Sequence, residues 1–221
     1  MVYQLDNKIW FPNPRLADDD GCLAVGGDLS VERLLLAYQH GIFPWFSFRD
    51  YDEPLWFCPH ERFVIFPSEI HVSHSMRTLL NKGKYCFSIN NDFDQVISTC
   101  SRLRIGERGA WLGDEMVNAY KALHRQGYAT SIEVWEEPDD PAEQPDHLVG
   151  GLYGVTIGRA FFGESMFSLV PNGSKLALIF LARVMEKTGG TLIDCQFKTA
   201  HLESMGGRFI SYDDYMSLVR Q

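Results

Sequence analysis

Leu148-Val149-Gly150-Gly151-Leu152-Tyr153-Gly154-Val155-Thr156, followed after Ile157-Gly158 by Arg159-Ala160-Phe161-Phe162-Gly163-Glu164, decides the fold. Both runs are rich in apolar, aromatic and β-branched residues, and the pair between them reads as the turn of an antiparallel hairpin. The period then changes. Ser174 is expected to cap a helix from Lys175 to Lys187, Gly189-Gly190 to end it, and Thr191 to Cys195 to form the next strand. Antiparallel strands followed by a helix and a further strand predict an α+β sheet unit.

Upstream, the same unit alternates both periods. Arg62 to Pro67 reads as a strand, Ser75 to Leu80 as a short helix, Tyr85 to Ile89 as a strand and Asp92 to Cys100 as a helix. Asp114 is expected to cap a helix with apolar positions Met116, Val117, Tyr120 and Leu123, closed by Gly127, and Ala129 to Trp135 is a strand. Glu136 to His147 is a polar, Pro-containing connector.

The first sixty residues differ in character, being rich in Pro, Gly and aromatics. Asp28-Leu29-Ser30 offers an N-cap for a helix over Val31 to His40, with Gly41 as its stop. Ile42 to Phe46 reads as an aromatic turn and Pro54 to Pro59 as a short strand. A boundary near Pro59 divides the chain into a small unit over 1–59 and a larger one over 60–221.

Composition limits the function. The 221 residues are 45% hydrophobic and 13% aromatic, enough for a real core and unlike a disordered chain. A net charge of −9 argues against nucleic-acid binding over the whole surface, leaves room for local basic patches and favours cationic partners. The five scattered cysteines form no CxxC pair and read as reduced thiols. The N-terminus lacks a basic region followed by an apolar run, and Arg183 interrupts the short apolar run Leu176 to Val184. The expectation is a soluble, cytoplasmic chain, monomeric and without a membrane span.

Polar groups in apolar segments mark the candidate site. Asp194 and Gln196 stand two apart at the end of a strand, which would turn both side chains to one face and Cys195 to the other. They read either as a pair that orients a nucleophile or as a turn-closing Asp and a solvated Gln. Glu164 lies between Phe161-Phe162 and Met166-Phe167, and is either an anion that grips an ammonium beside an apolar cavity or a salt-bridged edge residue. Trp45 and Trp111 sit in Pro- or Gly-rich loops, where they stack on a nucleobase or pin the loop to the core; Trp56 and Trp135 belong to the core. Arg77, Lys82 and Lys84 form one basic group and Arg102, Arg104 and Arg108 another, either phosphate contacts or solvated faces. His71 and His74 have no partners to complete a metal site, and Ser168 to Lys175 makes a poor pyrophosphate loop for coenzyme A.

Taken together, Leu23 to Ser30, Gly41 to Ser47, Ser131-Ile132-Glu133-Val134-Trp135, Leu148 to Val155, Gly163 to Ser168 and Leu192 to Gln196 resemble the bacterial leucyl/phenylalanyl-tRNA–protein transferases over nearly the whole chain. The resemblance implies a small N-terminal α/β domain joined to a GNAT-like (acetyltransferase-like) domain with a mixed, largely antiparallel sheet. It implies transfer of Leu, Phe or Met from aminoacyl-tRNA to proteins beginning with Arg or Lys, marking them for N-end-rule degradation, without metal or other cofactor. It further implies Asp194, Gln196 and Glu164 as catalytic residues, and Leu152, Met166, Leu181 and Ile193 as the pocket for the transferred side chain. Trp45 and Trp111 would hold the aminoacyl-adenosine end, and Arg77, Lys82, Lys84, Arg102 and Arg104 the tRNA.

Overall fold

The computed structural model describes residues 2–45, 53–104, 113–138, 140 and 143–221. Two sheets carry the architecture. The smaller has four strands, β1 (Tyr3–Leu5), β2 (Cys22–Gly26), β3 (Phe43–Trp45) and β4 (Leu55–Phe57), in the order β1-β2-β4-β3. Helix α1 (Val31–Gln39) joins β2 to β3. Ser30 caps it by accepting from the Arg33 amide, and Gly41, at φ +71°, turns the chain away as expected.

The larger sheet contains β5 (Glu61–Ile65), β6 (Tyr85–Ile89), β7 (Ala129–Glu136), β8 (Leu148–Ile157), β9 (Ala160–Ser168), β10 (Leu192–Asp194) and β11 (Arg208–Ser211). Their order is β11-β5-β10-β9-β8-β7-β6, and every pair is antiparallel except β9 with β10. This is the mixed, largely antiparallel sheet of an α+β protein. The helices are α2 (His74–Asn81), α3 (Phe93–Arg104), α4 (Asp114–Arg125), α5 (Gly173–Thr188), α6 (Ala200–Ser204) and α7 (Tyr212–Val219). Among the described residues no helix is long and apolar enough to cross a membrane.

Alternation sorts the strand residues between two faces of this sheet. Phe63, Ile65, Ile132, Leu152, Phe161 and Ile193 join a core with α5, Met76 of α2 and Leu202 of α6. Val64, Tyr153, Val155, Phe162 and Leu192 join the other core, which takes in α3, α4, α7, α1 and the small sheet.

Three local expectations are corrected. Ile42 to Phe46 is not simply a turn, because Phe43–Trp45 pairs antiparallel with β4, Pro44 opposite Trp56; an outer strand tolerates a proline that lacks an N–H to donate. Asp114 is the first helical residue rather than the cap, which is Gly113. Ser174 likewise lies inside α5, which begins at Gly173 after a left-handed Asn172; its amide donates to Ser168 Oγ.

One irregularity places the site. Along the β8–β9 ladder Tyr153 pairs with Ser165 and Gly154 with Gly163, so Glu164 is an extra, bulged residue. The bulge reverses the phase of alternation. Phe161 and Met166, five positions apart, therefore contact the same core, while Phe162 and Phe167 contact the other. Gly154 makes room for the bulge, since a Cβ there would stand 2.1 Å from the Phe162 carbonyl oxygen. Backbone cannot withdraw as a flexible side chain can, so Gly154→Ala is expected to cost about 3 kcal/mol in chemical denaturation. A loss below about 1 kcal/mol would mean that the bulge yields easily.

Candidate active site

β9 and β10 are paired only over three residues, Ala160 with Leu192, Phe161 with Ile193 and Phe162 with Asp194. Beyond that point β10 ends, while β9 runs on to Ser168 held by β8 on its other side. Where the strands part lies a cavity of about 440 Å³. Leu152, Met166, Leu178, Leu181 and Ile193 line it with apolar surface, and Phe43, Trp45 and Phe197 form an aromatic side. The polar groups Glu164, Asp194 and Gln196 line it as well.

Glu164 is half-buried and held by two tyrosines. Tyr38, from α1, donates its hydroxyl to Oε1 and Tyr120, from α4, donates to Oε2, both at 2.7 Å; the two hydroxyls are 2.7 Å apart. Gln196 Nε2 adds a longer donation to Oε1 at 3.4 Å. With Glu164 ionised, the two hydroxyl protons cannot supply all three short contacts; with Glu164 protonated, three protons serve three contacts. Burial pushes the Glu164 carboxyl up to about 7, with Asp194 adding to the rise and the tyrosine hydroxyls opposing it. Both tyrosines are raised well above their ordinary value by burial and by Glu164, and stay neutral donors.

Asp194 is fully buried and ion-paired. Arg62 Nε stands 3.0 Å from each carboxylate oxygen and Nη2 3.0 Å from Oδ2, while Tyr215 donates its hydroxyl to Oδ2 at 2.8 Å. Burial pulls the Arg62 guanidinium down, but the Asp194 carboxylate outweighs it and keeps the cation. Asp194 Oδ1 then accepts the backbone N–H of Gln196 at 2.8 Å.

The shared-face argument for Asp194 and Gln196 is therefore corrected. The strand stops at Asp194 and Gln196 adopts a left-handed conformation, φ +56°, so the pair is linked through the Gln196 amide and not by strand alternation. Cys195 does not turn away from the cavity but helps line it. Burial, then Asp194, raises its thiol far above the ordinary value, leaving it a packed thiol and not a nucleophile.

Leu152, Met166, Leu181, Ile193, Trp45, Glu164, Asp194 and Gln196 are thus brought together around one cavity. Trp111 and Arg108 lie outside the described residues, and of Arg104 only the backbone is described. Arg102 on α3 stays apart from Arg77 on α2, because the two helices cover opposite faces of the large sheet. Arg77, Lys82 and Arg102 are exposed, and Lys84 is paired with Glu136 at 3.1 Å. No group of three or more His, Cys, Asp or Glu residues able to hold a metal occurs among the described residues.

Sequence reading missed four contributors. Tyr38 and Tyr120 fall on apolar helix stripes and pass as core, Arg62 passes as the start of a strand, and Tyr215 lies in a segment with no evident motif. A usable signal was present: Arg62 precedes the apolar run Phe63 to Phe66 as Asp194 follows Leu192-Ile193, and lone opposite charges in two buried strands invite pairing.

Family models match most of the chain. Residues 64–220 match "Leucyl/phenylalanyl-tRNA protein transferase" and residues 27–60 match its N-terminal domain. A leucyl/phenylalanyl-tRNA–protein transferase of Flavobacterium johnsoniae is 45% identical over 99% of this chain and 99% of its own length. Transferases of the same description from Syntrophus aciditrophicus and Nitrosomonas eutropha are 48% and 50% identical, covering 100% and 95% of this chain and 88% and 86% of theirs. Among solved structures, FemX superposes with a TM-score of 0.49 at 12% identity, over 86% of this chain and 71% of that one. On the full-length identities and both family models, the chain belongs to the leucyl/phenylalanyl-tRNA–protein transferase family.

Proposed function

We propose that this chain moves Leu, Phe or Met from aminoacyl-tRNA onto the N-terminal Arg or Lys of acceptor proteins, forming a peptide bond that marks them for degradation. The observation that carries the reading is one cavity with an apolar wall, Leu152, Met166, Leu181 and Ile193, beside an acidic, hydrogen-bonding cluster, Glu164 and Gln196. The wall takes the transferred side chain by shape, the cluster takes a cationic amine, and Trp45 offers a stacking face for the terminal adenosine.

An aminoacyl ester is already activated, so the protein has to align it with the acceptor and manage the two protons that the acceptor nitrogen sheds. Alignment is the larger lever, worth up to ~7–11 kcal/mol. The acceptor's α-ammonium, with a reference pKa of about 7.7–8.0, is near enough to Glu164 for transfer of its proton to that carboxylate to cost about 1 kcal/mol. The Gln196 amide oxygen accepts an N–H of the neutral amine and aims its lone pair at the ester carbonyl carbon. The C–N bond forms, the bond to the ribose oxygen breaks, and that oxygen leaves with the second proton that the nitrogen sheds, while the proton held on Glu164 returns to solvent. Asp194 belongs to the reaction through Gln196, whose turn it holds. Holding the cationic amine before that proton transfer falls to Glu164, because Asp194 is already answered by Arg62.

The direct test incubates the protein with labelled Leu-tRNA and peptides beginning with Arg, Lys, Asp or Ala. Label on the Arg and Lys peptides alone is expected; label on the Asp peptide, or on none, would overturn the reading.

Met166→Lys places a cation in the apolar wall and is expected to abolish transfer of both Leu and Phe by protein that circular dichroism shows to be folded. Undiminished transfer would remove Met166 from the pocket.

Glu164→Gln is expected to lower kcat by about 100-fold, the usual worth of a positioned proton acceptor. Wild-type kcat/KM should rise with pH through about 7 as the carboxylate ionises, and the variant should lose that inflection.

Stability runs the other way. The folded protein holds the proton on Glu164 more tightly than the unfolded chain, so this contribution is full below 4.5 and lost as pH rises through about 7. The wild type should therefore weaken relative to Glu164→Gln by about 3 kcal/mol between pH 4 and pH 8 in denaturant titrations. A gap that does not change with pH would show that the carboxyl titrates normally.

A further inference from the structure

We propose that Arg62 and Tyr215 are positioning residues of the transferase site, clamping the Asp194 carboxylate so that it holds the left-handed turn at Gln196 and thereby sets where the Gln196 amide stands beside Glu164. The inference rests on the transferase reading above and extends it to two residues outside the cavity wall.

The clamp grips both carboxylate oxygens. Arg62 meets both Asp194 oxygens through Nε, and its Nη2 also donates to the Gly41 carbonyl at 2.7 Å. Its guanidinium carbon lies 4.7 Å from the ring centroids of both Phe43 and Tyr215, and Nη1 has no hydrogen-bond partner among the described residues. The plane of the fork is thus set by two rings and the carboxylate together, a geometry that a lysine ammonium cannot reproduce. Tyr215, anchored on α7, holds Oδ2 of Asp194, leaving Oδ1 directed at the Gln196 amide.

Gln196 needs such a hold. A residue with a Cβ at φ +56° sits in a sparsely populated conformation and stays there only when its neighbours require it. The Asp194–amide bond supplies that requirement from the strand side. From there the Gln196 side chain reaches Glu164. Four segments far apart in sequence (the turn after α1, β5, the end of β10 and α7) therefore meet around the one carboxylate that fixes the Gln196 turn.

Tyr215→Phe is the informative variant, since it keeps the ring against Arg62 and removes only the hydroxyl. The expected result is a kcat for Leu transfer to an Arg-initiated peptide lower by about tenfold, with KM for both substrates within about twofold of wild type. Arg62→Lys should lose about 100-fold by the same route. In a Gln196→Ala background, Tyr215→Phe should change kcat no further, because its effect passes through Gln196. A second readout does not need turnover: the Gln196 backbone amide resonance in a nitrogen-labelled sample should move in Tyr215→Phe while those of α3 stay in place. Wild-type kcat together with an unmoved Gln196 resonance would overturn the proposal, as would losses that multiply independently in the Gln196→Ala background. If the wild type itself transfers nothing, the functional reading fails, and the amide resonance alone then decides whether the clamp holds the turn.

Discussion

Strands β9 and β10 run side by side for three residues and then separate, and nearly everything about this molecule follows from that parting. A sheet that opens in its middle exposes backbone and apolar side chains that must be covered or used. Here α5 and the aromatic edge of the small sheet roof the gap without filling it, leaving a cavity with apolar walls. The bulge at Glu164 decides what looks into that cavity. It puts a carboxylate against the tyrosines of α1 and α4, then returns Met166 to the apolar wall.

The two carboxylates of the site have opposite electrostatic situations. Asp194 is met by a cation and a hydroxyl, so its charge is spent on architecture. Glu164 is met by two neutral hydroxyls and an amide, so its charge stays poised. Burial pushes Glu164, which has no resident cation, toward neutrality and makes it the group that responds to a cationic guest. This division between a fixed and a responsive anion is a common way to give two chemically identical side chains different tasks.

Much of this was legible in the chain. The β8–β9 hairpin and the stop at Gly189 declare themselves by period and composition, whereas the apolar wall residues entered only through the resemblance to the transferase family. The pairing of Asp194 with Gln196 was visible as a motif, but its geometry was not, because strand alternation assumes extended backbone and Gln196 leaves it. The bulge was hidden for a related reason: one inserted residue shifts every later side chain, and no residue type announces it except Gly154 on the opposite strand. Tyr38, Tyr120, Arg62 and Tyr215 were out of reach because each looks locally ordinary. Their meaning comes from contacts across tens to more than a hundred positions, which local patterns do not encode.

Arg33 carries one last lesson. Completely enclosed on α1, it points its guanidinium back at the opening segment, donating to the carbonyls of Asp6, Lys8 and Trp10 besides bonding Asp28. Those first residues contribute only a three-residue strand, and a designer trimming ends for crystallisation would be tempted to discard them. Doing so would strand a permanent cation inside the protein with most of its acceptors gone, on the very helix that presents Tyr38 to the site. The leading arm is therefore internal scaffolding, however peripheral it looks.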